Sequence, residues 1–251
     1  MRAEKMLEIG IRVGNLLMAS GAEVYRVEDT MIRICKACKD VELVESYVMA
    51  TGIMLTIKVN GISHTRICRV RSRSTNLGVI EEVNALSRQV QIEDYTMEEV
   101  EKRLDEIEQL PTYPAWLTIL FGALGAAAFA MFFNGNNTEI GMSFAIGFII
   151  RVLMIQLHKL GMNDFIDNVI GAGTISLLSI LIHLVFPKTS IDTLVISGIM
   201  LLIPGLAITN AIRDTLSGDF ISATARAMEA CILACAIALG AGLVLGVGLA
   251  L

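Results

Sequence analysis

Two hydrophobic patterns follow one another along this chain. Up to about residue 110 the apolar positions are spaced as in amphipathic elements; from Ala115 they run on with few breaks. Over residues 3–19, Met6, Ile9, Val13, Leu16 and Leu17 keep a helical period. Ser20 and Glu23 have capping-box spacing, which predicts a second helix from near Gly21 to about Cys38 with Val24, Val27, Met31 and Ile34 inward. The pattern then turns short and β-branched. Residues 41–50, 53–59 and 64–71 read as a three-stranded antiparallel meander, and Asn60-Gly61 is a strong tight-hairpin signal. Asn76 caps a predicted helix over 77–90. Thr96 and Glu99 open another that reaches about Gln109, where Pro111 and Pro114 stop it. Residues 1–110 are therefore expected to form a small α+β domain.

Residues 111–251 are expected to form an all-α transmembrane bundle. Five spans are predicted at about 115–133, 140–158, 168–186, 191–208 and 221–250, each near the roughly 20 residues that cross a bilayer core. The fourth is short and ends in Pro204-Gly205, which suggests a discontinuous helix. Lys102 and Arg103 precede the first span, and the 134–139 loop has neither Lys nor Arg. Lys159, Arg213 and Arg226 fall in connections that alternation assigns to the same side as residues 1–110. This places the N-terminal domain in the cytoplasm and the C-terminus outside a plasma membrane. Ala230, Ala234, Ala238, Gly242, Gly246 and Ala250 recur every four residues, as do Gly122, Ala126 and Ala130. Small residues at this spacing let helices approach closely, so two such stripes call for partners, within the chain or on another subunit.

Composition narrows the class. The hydrophobic share is 54% and the mean hydropathy +0.65, unevenly distributed, as in a membrane protein with a soluble part. A net charge of −5 argues against nucleic acid as partner. No cleavable leader pattern stands at the N-terminus. Cys35 and Cys38 form a Cys-x-x-Cys without a second Cys or His pair at zinc spacing, and read as a packed helix face. No metal or cofactor is expected. No phosphate loop or nucleophile motif marks an enzyme. His64 reads as a half-buried strand residue. Arg66, Arg69, Arg71 and Arg73 form a basic run, a solvated face or a contact for anionic lipid. Arg151 lies inside the second predicted span and reads as a snorkelling cation; His183 lies near the outer end of the third.

The stretch 204–219 concentrates the chemistry. Pro204 and Gly205 break a helix between two apolar segments, and Asn210, Arg213, Asp214 and Asp219 follow. A helix broken inside a bilayer frees backbone groups, and polar residues at such a break are candidates for a transport site. Arg213 offers a fork to a carboxylate, Asn210 donates and accepts, and Asp214 and Asp219 suit an ammonium group or a coupling proton. The plain alternative is an Arg213–Asp214 lock on a cytosolic loop.

Pro204-Gly205, Asn210, Arg213-Asp214 and Gly218-Asp219 together resemble the signature of the threonine/serine exporter (ThrE-type) family. Gly14-Asn15-Leu16-Leu17, Ser20-Gly21-Ala22, Arg26-Val27-Glu28 and 110–114 also match, so the resemblance covers nearly all of the chain from Met6. At 251 residues it resembles the N-terminal-half subunit of the split, YjjP-like form. The resemblance implies efflux of small amino acids or a dicarboxylate such as succinate, driven by proton motive force, with a second small multi-span membrane subunit as partner. It supports Asn210, Arg213, Asp214 and Asp219 as substrate or transport residues and fixes no role for each. The competing class is a non-transporting anchor or regulatory subunit whose working part is residues 1–110.

Overall fold

The computed structural model describes residues 2–37, 40–71, 74–93 and 95–248. Its elements, in order, are α1 (Arg2–Ala19), α2 (Val24–Lys36), β1 (Val41–Met49), β2 (Gly52–Val59), β3 (Ile62–Arg69), α3 (Leu77–Ile92), α4 (Met97–Glu108), α5 (Ala115–Phe132), α6 (Asn137–Lys159), α7 (Asp164–Val185), α8 (Ile191–Ile199), α9 (Gly205–Leu216) and α10 (Phe220–Gly248). They divide into two compact units. Met1–Pro111 and Leu206–Ala227 make the first; Thr112–Gly205 and Met228–Leu251 make the second.

In the first unit the sheet order is β1-β2-β3, all antiparallel. The β2–β3 turn places Asn60 and Gly61 at φ 51° and 76°, the mirror-image turn that the Asn-Gly pair favours. Leu55, Ile57, Val13, Leu17, Val27, Met31, Val83 and Leu104 form its core. Asn76 caps α3 through Val79 N–H, and Thr96 and Glu99 form the expected capping box on α4. The Ser20–Glu23 box does not form. Glu23 is itself the N-cap of α2, and its carboxylate is taken up by arginines instead. Cys38 and Arg73 of the expected motifs lie outside the described residues, whereas Arg66, Arg69 and Arg71 are exposed.

In the second unit, α5 and α6 pack closely. A Cβ built on Gly147 would stand 2.7 Å from Ala126 Cβ and 3.0 Å from Ala123 Cα, so the α5 small-residue stripe meets α6 there. On α10 the buried face is Ala230, Ala236, Ile237 and Ala241, while Ala234, Ala238, Gly242 and Gly246 are exposed. Nothing lies within 4 Å of a Cβ built on Gly242 or Gly246; Ala250 lies outside the described residues. Among the described residues four helices, α5, α6, α7 and α10, are long and apolar enough to cross a membrane.

The stretch expected as a fourth span, 191–208, is not one helix. α8 has nine residues, and the chain is non-helical over 201–204 before α9 begins. Pro204 has no N–H to continue the ladder, which accounts for the stop. Ser190, the N-cap of α8, donates its backbone N–H to Glu139 Oε1 (2.6 Å) at the start of α6. A Cβ on Gly198 would meet Ile146 and Ile175, and one on Gly171 would meet Leu202. The segment from Ser190 to Leu202 thus runs alongside both α6 and α7. His183 Nδ1 lies 2.7 Å from Thr189 O and ties the α7–α8 connection.

Candidate functional site

The residues singled out in 204–219 converge on the α1–α2 turn within the first unit. That turn exists because Gly21 adopts φ +90°, a left-handed conformation costly for other residues, and a Cβ there would sit 3.2 Å from Ser74 O. The turn leaves the carbonyls of Gly21 and Ala22 and the first N–H of α2 without helical partners. The later segment supplies them. Asn210 Nδ2 donates to Gly21 O (2.9 Å), and Val24 N–H donates to Asp214 Oδ1 (3.2 Å). Arg226, from the first turns of α10, donates through a terminal guanidinium nitrogen to Ala22 O (2.8 Å). Arg213 donates to Glu23 Oε1, and Glu23 Oε2 also pairs with Arg26 Nε at 3.0 Å.

Asp214 lies at the centre. It is fully buried, and its Oδ2 stands 3.1 Å from Nε of the buried Arg226. The two are close enough to pair as ions, but Oδ2 and Nε are not aligned as a hydrogen bond. Burial pushes the Asp214 carboxyl above the usual aspartate range, and the nearby charge of Asp219 adds to this. The attraction of Arg226 and the Val24 N–H oppose it without cancelling it. Glu28 is raised for the same first reason, burial, with Asp219 adding, while Val48 N–H (2.9 Å) pulls it down.

Gly218 and Asp219 act through the backbone. Gly218 has φ +89°; its N–H donates to Thr215 O (3.1 Å), and Asp219 N–H donates to Asp214 O (2.8 Å). This is a Schellman stop for α9. Asp219 O then accepts from Ala223 N–H at the start of α10. The Asp219 side chain is half-buried and lines a cavity of about 260 Å³ with Tyr47, Met49, Phe220 and Ser222. Asn210, Arg213 and Asp214 thus meet one turn together, and Asp219 sets the helix end beside them.

Sequence reasoning missed two members. Glu23 reads from sequence as half of a capping box and Arg226 as a cation in a connection; no local signal points Glu23 at Arg213, 190 positions on, or Arg226 at Ala22, 204 positions back. It also missed the buried pair Asp167 and Asn168 near the start of α7, whose Oδ1 atoms have no hydrogen-bond partner among the described residues. Two polar residues, Asp167 and Asn168, directly before the apolar run from Val169 were the available signal.

Residues 8–248 match the family described as "Putative threonine/serine exporter". The chain is 25% identical over 242 residues to the "Probable threonine/serine exporter" of Mycobacterium tuberculosis, covering 96% of this chain and 46% of that one. It is 26% identical over 248 residues to the "Threonine/serine exporter" of Corynebacterium glutamicum, 95% of this chain and 50% of that one. It is 28% identical over 233 residues to the "Probable succinate transporter subunit YjjP" of Escherichia coli, 92% of this chain and 90% of that one. The chain therefore spans about half the length of the two exporters and most of the subunit. No solved structure matches. A match over nearly the whole length, with four membrane-grade helices behind it, leads to one conclusion: this is a membrane protein belonging to the threonine/serine exporter family.

Proposed function

We propose that the chain is one subunit of a membrane exporter for small carboxylate-bearing molecules, threonine and serine or a dicarboxylate such as succinate. In this reading export is driven by proton motive force, and a second small multi-span membrane subunit completes the path. The observation that carries it is the buried Asp214–Arg226 pair where α9 hands over to α10. Burying two charges costs several kcal/mol per ion (on the order of) before their attraction is counted, so such a pair is a weak stabiliser. Its raised carboxyl takes up a proton at milder acidity than an ordinary aspartate, and protonation removes its hold on Arg226. Asp214 is then the proton-responsive member of a gate. Asn210 and Arg213 hold the gate to the α1–α2 turn, and Asp219 sets its hinge. Arg213, half exposed, is the member a substrate carboxylate reaches. Export of labelled serine, threonine and succinate from cells expressing the chain, with and without the second subunit, tests the reading.

One observation favours a second reading, a structural lock without a transport role: Asn210, Arg213 and Asp214 already have partners in the chain. The two separate on Asp214→Asn, which the gate reading makes silent in abundance and severe in export.

The second subunit is supported by the exposed small-residue face of α10 and by the half-length match to the exporters. Gly242→Leu should leave the chain's own thermal stability unchanged, since nothing stands within 4 Å of its Cβ, and should abolish co-purification of the second subunit. Retained co-purification would move the interface elsewhere.

For topology, α8 with the non-helical 201–204 makes the return crossing between α7 and α10. The N-terminal unit is then cytoplasmic and the C-terminus outside. Single cysteines introduced at Asn60 and Asn136, in a chain whose own cysteines are replaced, should label from inside and outside respectively. The opposite labelling at either would overturn the orientation.

A further inference from the structure

α6 carries Arg151, fourteen residues after Asn137 and eight before Lys159, so roughly 21 Å and 12 Å from the two ends at 1.5 Å per residue. Arg151 is exposed and has no ion-pair or hydrogen-bond partner among the described residues. A charge at that depth in an apolar span is expensive and marks a site. The structure builds a place for it. The stem lies on α5 at Gly122, where an added Cβ would come within 3.1 Å of both Arg151 Cγ and Cδ. Arg151 lines a cavity of about 650 Å³, shared with Tyr113, Thr118, Phe121 and Leu201. Leu201 belongs to the stretch after α8 where the helix is broken by Pro204.

We propose that this cavity binds the carboxylate of a small organic or amino acid, with the Arg151 guanidinium as its anchor. The proposal rests on the export reading and adds to it a second carboxylate-binding group besides Arg213. A planar guanidinium takes a carboxylate through two parallel hydrogen bonds. The volume is that of a small-molecule site with apolar walls and few polar groups. Thr118 Oγ1 donates to Ala115 O (2.8 Å), so its remaining lone pair is an acceptor for an ammonium group. Sites beside discontinuous helices are the recurrent place for transported substrates. The depth of Arg151 favours a diffusible small anion over a lipid phosphate, which stays at the interface.

The test uses the assembled complex and two readouts. Equilibrium binding of labelled succinate and labelled L-threonine is measured in detergent, and KM and maximal rate in proteoliposomes, for wild type, Arg151→Gln and Arg151→Lys. Arg151→Gln is expected to weaken binding and raise KM about tenfold or more for at least one probe. Arg151→Lys keeps the charge and stem, so it assembles, and its KM should still rise several-fold because the fork is lost. Unchanged binding and KM in both variants would overturn the site. So would loss of a co-purifying phospholipid in Arg151→Gln, seen by native mass spectrometry, with KM unchanged. If wild type binds a probe through Arg151 but moves none, the site stands and the export reading falls. If wild type moves a probe with Arg151 irrelevant, the site alone falls.

Discussion

Asp214→Asn is expected to leave the protein folded at normal abundance while export falls about tenfold or more, a loss of about 1.4 kcal/mol in the rate-limiting barrier. The asparagine Oδ1 can still accept from Val24 N–H, so the contact to α2 survives. Only the charge facing Arg226 goes. Folding tolerates that loss because Asp214 is buried. The Asp214 carboxyl is raised by burial, so its contribution to stability is present below the free-aspartate value of about 3.9 and is lost as pH rises through the folded value. At neutral pH the ionised form therefore costs stability, and the neutral amide removes that cost. The stability of Asp214→Asn relative to wild type should accordingly rise with pH across this window, and the acid limb of the export profile should disappear. Chemical denaturation at several pH values, with export measured in parallel, checks both. Loss of abundance at neutral pH would favour the structural lock. Asp214→Ala is the harsher change, because it also leaves the buried Val24 N–H without its acceptor, at a cost of about 1–3 kcal/mol.

Gly147→Leu should strongly destabilise the second unit. A Cβ at 147 already stands 2.7 Å from Ala126 Cβ and 3.1 Å from Gly122 O, and backbone atoms cannot step aside as a flexible side-chain tip can. The remaining atoms of leucine would push α5 off α6 at its tightest contact. Overpacking of this kind costs about 1–3 kcal/mol even in cores that yield. The displacement would also shift Gly122 from beneath Arg151. Folded yield and thermal denaturation in detergent should both drop sharply, whereas Gly242→Leu, with open space around it, should match wild type as an isolated chain. Equal stability for the two variants would contradict the packing described here.

Several features were legible in the sequence because their causes are local. Asn60-Gly61 encodes its turn by left-handed φ, Thr96 and Glu99 encode their capping box by spacing, and the long apolar runs encode α5, α6, α7 and α10. Pro204 announced the helix break, but its consequence, a nine-residue α8 followed by a non-helical stretch instead of one continuous helix, depended on where the chain packs after Ser190. The candidate site was half legible. Asn210, Arg213 and Asp214 stood out as polar residues between apolar stretches. That they would meet Gly21, Ala22, Glu23 and Val24 could not be read from spacing, since the contacts close loops of about 190 residues. Ser20-Gly21-Ala22 and the 210–214 stretch read as separate motifs in sequence; in the structure they are two sides of one joint.

The most direct measurement of the central claim is flux into or out of proteoliposomes holding this chain and the second membrane subunit, under an imposed proton gradient, with labelled succinate, threonine and serine. The account predicts gradient-dependent flux of at least one of them with both subunits present, little with this chain alone, and loss of that flux in Asp214→Asn. Gradient-independent flux, or full flux with asparagine at 214, would contradict it.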